Sequence, residues 1–257
     1  MSQTFRFRLF TVRRVSDPGT LRVLWRLLGE PLVKPQAFDS IERARIPFRP
    51  DALDRAARLY DDDGILFVKG GQDSFLAVFT RQPRSLATWD FWLDVRALQK
   101  GEGGRPWLEW VFSVCDALPV LYGFGCSVEE YEAKHRRVRR LPGGRTARGA
   151  VGVAIAQFWQ FLPGIYWLTI FGAELVRAFG KEKPAQLPGV ETIELAAGQV
   201  AILSDGPAVP DNMEERLKQE QRIADILGPT FFFDRNRAEL QFEPVPALLE
   251  VLNRDRD

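Results

Sequence analysis

Histidine, cysteine and methionine are scarce in this chain of 257 residues, with one histidine, two cysteines and two methionines. A single histidine excludes mononuclear zinc held by several imidazoles. His135 lies among Lys134, Arg136 and Arg137 with no carboxylate orienter in the local sequence, so it reads as a solvated helix residue rather than a general base. Cys115 and Cys126 make neither a disulfide framework nor a metal set, and they suit a reducing compartment. Strong charge of one sign is absent too: 35 basic residues stand against 34 acidic. That balance lacks the basic excess of a bulk nucleic-acid binder and the acidic excess of a nucleic-acid mimic. A charged partner must then be met by a local patch. Residues 1–8 lack the apolar run of a secretory signal, so the chain is expected to be cytoplasmic.

One stretch does lack charge. Gly149 to Ala173 is long enough to span a bilayer. Gln157 and Gln160 fall near its middle and Pro163-Gly164 interrupts it. Two buried strands meeting at a Pro-Gly turn are expected instead, and no membrane span.

Apolar residues and charge are otherwise supplied in the proportions of an ordinary globular protein. Thr4 to Val15 alternates Phe5, Phe7 and Leu9 with Arg6 and Arg8, which predicts a half-buried strand. Leu21, Leu24, Trp25 and Leu28 recur at helical spacing. Pro31, Pro35, Pro47 and Pro50 predict a loop over Glu30 to Pro50. A helix over Asp51 to Tyr60 precedes three strands, Ile65 to Val68, Ser74 to Thr80 and Thr88 to Val95, expected as an antiparallel meander. Pro106 opens an amphipathic helix through Trp107, Trp110, Val111, Val114, Cys115 and Leu118. Tyr122 to Gly125 reads as a short strand or tight loop. Ser127 with Glu130 resembles a capping box and predicts a helix from Val128 to Val138, followed by a loop over Leu141 to Gly149. Strands over Val151 to Phe161 and Gly164 to Ile170, a helix over Ala173 to Phe179, and a hairpin of Glu191 to Leu195 with Gln199 to Leu203 come next. A last helix capped by Asn212 and Glu215 ends near Gly228. Grouped strands with helices between the groups indicate an α+β fold, mainly antiparallel and flanked by helices. It is expected as one domain or as two halves, about 1–100 and 101–257.

No catalytic constellation emerges. Asp61-Asp62-Asp63-Gly64 lacks the alternation and following glutamate of a calcium loop, and reads as a polar helix end. Gly123-Phe124-Gly125 and Pro142-Gly143-Gly144 complete no phosphate-binding fingerprint. Glu132-Ala133-Lys134 has the Glu-x-Lys spacing of many nucleases but falls in a helix. No metal and no cofactor are expected. Seven cationic side chains between Lys134 and Arg148 form a basic run suited to phosphate or to an acidic protein surface. No aromatic set interleaves it for stacking single strands, so nucleic acid is not the expected partner.

The segment Leu162-Pro163-Gly164-Ile165-Tyr166-Trp167-Leu168-Thr169-Ile170-Phe171-Gly172-Ala173, continuing to Phe179-Gly180, resembles the signature of the type VI immunity family, the TsiV-like proteins of bacterial toxin–immunity systems. Ala173 stands where that family often has proline. Leu118 to Gly125 is similar to the family's segment after its central helix, and Gly198 to Pro207 to its closing hairpin. The likeness covers roughly Arg105 to Phe233. It implies a cytoplasmic protein that is not an enzyme and that neutralises a cognate protein toxin by stoichiometric occlusion. Tyr166, Trp167, Phe171 and Gly172 carry the likeness as structural residues. One of the two adjacent rings is expected inward and the other toward solvent or a helix. The expected toxin contacts are a basic patch, Arg136, Arg137, Arg139 and Arg140, and an acidic patch, Asp205, Asp211, Glu214 and Glu215. The alternatives are a metal-dependent hydrolase using Asp61 to Asp63 and Glu132, and a secretion-system adaptor or structural protein.

Overall fold

A computed structural model describes residues 4–71, 75–81, 86–94, 104–140, 146–150, 161–206 and 212–233, with the backbone alone at 135–140 and 146–150. In chain order the principal elements are β1 (Thr4–Thr11), α1 (Pro18–Leu28), β2 (Pro35–Asp39), β3 (Ile46–Pro47), α2 (Leu53–Asp63), β4 (Ile65–Gly70), β5 (Phe75–Arg81), β6 (Ala87–Asp94) and α3 (Arg105–Ala117). They continue with β7 (Tyr122–Ser127), α4 (Val128–His135), β8 (Arg136–Arg140), β9 (Thr146–Ala150), β10 (Leu168–Phe171), α5 (Ala173–Phe179), β11 (Val190–Glu194), β12 (Val200–Ser204) and α6 (Met213–Leu227). Ten strands form one antiparallel sheet in the order β11-β12-β10-β7-β1-β6-β5-β4-β2-β3. The fold is α+β. No helix among the described residues is long and apolar enough to cross a membrane.

The sheet carries a core on each face. Phe5, Phe7, Leu9, Trp89, Phe91 and Leu93 pack with α1, α2 and α3 in one cluster. Tyr122, Phe124, Phe171 and Ile202 pack with α5 and α6 in the other. Helix starts and stops follow local chemistry. Asp17 Oδ1 accepts from the Gly19 and Thr20 amides ahead of α1. Gly64, at φ 70°, ends α2 in the left-handed conformation that suits glycine. The predicted Asp61 to Asp63 helix end is the last turn of α2.

The glycine-rich Tyr122 to Gly125 stretch lies in an interior strand, between β10 and β1. A Cβ on Gly125 would lie 2.7 Å from ring carbons of Phe7, and one on Gly123 would lie 2.6 Å from Leu9 Cδ2. These glycines make room for large side chains on β1, so their role here is packing. Gly172 works the same way against backbone: its amide donates to the Leu121 carbonyl at 2.9 Å. An added Cβ there would meet that oxygen at 2.8 Å. Gly172→Ala is therefore expected to cost about 1–3 kcal/mol in a urea titration, because backbone cannot rotate away as a side chain can.

Several expectations need correction. The predicted Glu30 to Pro50 loop contains β2 and β3. Prolines fit there because Pro35 opens its strand and Pro47 lies on the outermost one. The helix predicted to Val138 stops at His135, and Arg136 to Arg140 pair as β8 with β9, whose residues Thr146 to Gly149 had been expected as loop. Arginines three and four apart would repel along a helix. Strand β10, Leu168–Phe171, starts four residues later than the predicted Gly164 to Ile170 strand and ends one residue later. Asn212 occupies the N-cap of α6 but makes no side-chain cap bond. Most of Val151 to Phe161 lies outside the described residues.

Candidate functional site

Helix α4 roots the basic segment, and its last turn is fixed by buried charge. Ser127 Oγ accepts from the Glu130 amide at 3.0 Å, which is half of the expected capping box. The Glu130 side chain does not turn back to complete it. Its Oε1 accepts instead from Lys134 Nζ at 2.8 Å and from the Trp167 amide at 3.3 Å. Lys134 Nζ also donates to the Ile165 carbonyl at 2.5 Å and lies 3.2 Å from Glu220 Oε2 on α6. Glu220 Oε1 accepts from the Ile165 amide at 2.8 Å. The ammonium sits 4.4 Å from the Tyr166 ring centroid, a cation–π contact. Burial works against the charge on Lys134, but Glu220 and Glu130 outweigh it and hold its pKa above the ordinary lysine value. Burial raises the Glu220 carboxyl against the opposing pull of Lys134. Glu130 is 1% exposed, and its Oε2 has no hydrogen-bond partner among the described residues. The cavity at this cluster measures about 10 Å³, room for one water at most. The cluster is a clamp between helices and cannot admit a substrate.

A second buried cluster lies on β1 and β6. The expected half-buried strand β1 is covered on both faces. Arg6 Nε and Arg8 Nε both donate to Asp90 Oδ1 at 2.7 Å, and Arg8 Nη2 donates to Asp90 Oδ2 at 2.9 Å. The Arg6 guanidinium lies 4.4 Å from the Trp92 ring centroid and 5.6 Å from that of Tyr131 on α4. Burial pushes the Asp90 carboxyl up to about 6 despite the pull of Arg8. Burial likewise raises the Cys115 and Cys126 thiols, which suppresses thiolate chemistry.

The sequence signals for these clusters were the Glu130–Lys134 spacing of four and Asp90 between Trp89 and Phe91 in a largely apolar strand. The first coincides with the Ser127–Glu130 capping-box pattern. Glu220 carried no local signal, because its partners lie far away in sequence.

The signature residues are core. Tyr166 and Trp167 are both buried, so neither ring reaches solvent. Tyr166 stacks on Phe124 at 4.3 Å between centroids, within the α5–α6 core. Trp167 meets Phe5 edge-on at 4.9 Å, within the α1–α3 core. Adjacent residues point to opposite faces, and here both faces are covered.

Of the predicted contacts, Arg136, Arg137, Arg139 and Arg140 lie on β8, and their side chains fall outside the described residues. Asp205 and Glu215 line one polar cleft of about 710 Å³ beside α6, together with Arg216, Gln219 and Arg222. Glu214 is exposed and pairs with Lys218 at 2.7 Å. Asp211 lies outside the described residues. Arg216 is committed to the carbonyls of Asp205 and Gly206. Arg216 and Gln219 line both this cleft and the Lys134 cavity. The root of β8 and the Asp205–Glu215 cleft thus share one junction, where α4 meets α6. Asp61 to Asp63 end α2, which packs in the α1–α3 core, whereas Glu132 lies on α4 beside β7 and β1. Among the described residues no group of three His, Cys, Asp or Glu side chains could hold a metal ion.

This fold has a solved counterpart. It is similar to the Pseudomonas aeruginosa T6SS protein PA0821, with a TM-score of 0.60 over 98% of this chain and 81% of that one. Sequence identity is 14%, so the likeness is one of fold. No protein-family model and no curated protein matches the chain.

Proposed function

We propose that this protein is an immunity protein of a type VI secretion system, which binds a cognate toxin in the cytoplasm and blocks it by stoichiometric occlusion. The observation that carries the reading is the fold likeness to a T6SS protein over 98% of the chain. It agrees with the resemblance of Leu162 to Gly180 to the type VI immunity signature. The burial of Tyr166 and Trp167 supports a structural role for that signature, which leaves recognition to the charged surface. The α4–α6 junction suits recognition because it joins an arginine-rich strand to a cleft lined by Asp205 and Glu215 with Arg216, Lys218 and Arg222, and paired patches of both signs favour one partner over others.

The reading is non-enzymatic. Asp61 to Asp63 and Glu132 stand on helices in separate packing environments, which weighs against the hydrolase alternative. The test is co-expression with the toxin encoded beside it. Growth is expected to be restored, and the two chains are expected to co-elute on gel filtration. Continued toxicity at matched expression would remove the reading. An adaptor of the secretion apparatus is supported by the same fold likeness. Capture of an apparatus component, without protection from a toxin, would favour it.

A further inference from the structure

We infer that the open edge of β11 pairs with the same edge of a second copy of this chain, joining two sheets across a twofold axis at Thr192; the inference goes beyond the immunity reading and does not depend on it. The ten-stranded sheet ends in β3 on one side and β11 on the other. Strand β3 is two residues long and includes Pro47, which blunts that edge. Strand β11 is five residues long, Val190-Glu191-Thr192-Ile193-Glu194, and holds neither proline nor lysine. Its register with β12 runs without a bulge from Val190↔Ser204 to Glu194↔Val200. Among the described residues no strand pairs with its other side. Backbone groups alternate between the two sides of an antiparallel strand. The Leu195 amide donates to the Gln199 carbonyl at 2.9 Å. By that alternation Ile193 and Glu191 also bond β12, and Val190, Thr192 and Glu194 turn their N–H and C=O groups to the open side. The Thr192 side chain is engaged on the sheet face, where Oγ1 donates to the Pro184 carbonyl at 2.8 Å, and this leaves its backbone to the edge.

The residue pattern of β11 selects a second copy as the partner. In an antiparallel pair centred on Thr192 the whole strand is matched: Thr192 faces its own copy, Val190 faces Glu194, and Glu191 faces Ile193. The outward residues Val190, Thr192 and Glu194 then exchange both hydrogen bonds with the residues opposite. No carboxylate stands directly opposite another. A pair centred on Glu191 or on Glu194 would oppose two like charges, which is destabilising. One centred on Val190 or on Ile193 would leave part of the strand unmatched. Valine, threonine and isoleucine favour the extended backbone, and threonine facing threonine is a favourable cross-strand pair. Glu191 meets its own copy only on the diagonal, about 7–8 Å away. Glu191 is exposed, so salt screens that repulsion. Because β11 is short, the contact is small and the dimer weak.

The experiment is sedimentation velocity of the full chain from about 5 to 500 μM. A reversible monomer–dimer equilibrium is expected, no weaker at high salt than at low salt. Glu194→Pro removes an outward amide and no bond to β12, as an edge strand tolerates. It is expected to weaken association at least about tenfold with an unchanged melting temperature. Thr192→Lys and Thr192→Glu each place like charges on the axis, and each is expected to weaken association at least about fivefold. An equimolar mixture of these two variants is expected to form a heterodimer at least as tight as the parent dimer. That recovery requires both chains to be folded and Thr192 to face its own position, so it separates a lost contact from a damaged fold. A parent that stays monomeric at the highest concentration overturns the inference. So does a dimer that persists in folded Glu194→Pro, or a mixture no tighter than either Thr192 variant alone.

Discussion

Replacing Lys134 with methionine is expected to cost about 3–5 kcal/mol of folding stability, read from the midpoint of a urea titration. The methionine fills similar volume, so the loss is electrostatic. Lys134 is the cation between Glu130 and Glu220, whose side chains are 2% and 19% exposed. Without it, two carboxylates share a desolvated site. Neutralising them in the triple variant Lys134→Met/Glu130→Gln/Glu220→Gln is expected to restore most of the loss, since a buried charge set is costly to break and far less costly to remove whole. The pH dependence has a definite sign. Burial raises the pKa of Glu220 in the fold, so folding favours its protonated form. Its contribution falls as pH rises from the ordinary glutamate value through the raised one. Loss of Lys134 removes the opposing pull and widens that window. The Lys134→Met deficit should therefore be smaller at about pH 5 than at about pH 7. A deficit independent of pH would mean that packing, not charge, sets the cost.

Asp90→Ala is the companion case with the charges reversed. Asp90 accepts from both Arg6 and Arg8, and Arg6 is only 8% exposed. Removing the carboxylate leaves two guanidinium groups facing each other on β1. The expected loss is again about 3–5 kcal/mol by thermal or urea unfolding. Asp62→Ala on the exposed end of α2 serves as the control and is expected to stay within about 0.5 kcal/mol of the parent. Equal effects from the two substitutions would remove the argument that Asp90 neutralises a buried pair.

Much of the local structure was legible because it rests on short-range chemistry. The spacing of Leu21, Leu24, Trp25 and Leu28, that of Trp107, Trp110, Val111 and Val114, and the meander over β4 to β6 are set by helical period and by alternation. Each of these needs only neighbours a few residues away. The interface candidates were legible only as charge. Arg136 to Arg140 announced a basic patch, but a strand rather than a helix turn depends on the pairing partners at Thr146 to Ala150, ten or so residues on.

Composition and periodicity by themselves determined the α+β class and the position of most helices. They did not determine which side chains are covered. Arg6 and Arg8 alternate with apolar residues as a solvent-facing set would, yet β1 lies between β6 and β7 inside a sheet covered on both faces there. One of Tyr166 and Trp167 was expected inward and the other toward solvent or a helix, and each finds a core of its own. Gly123, Gly125 and Gly172 gain meaning only from Phe7, Leu9 and Leu121, which close in from elsewhere in the chain. Burial is a property of what lies across a face, and that is decided by strand order and helix placement. The Lys134–Glu130–Glu220 clamp shows the same division: the spacing of four on α4 is local, and the third charge arrives on α6 only when the chain has folded.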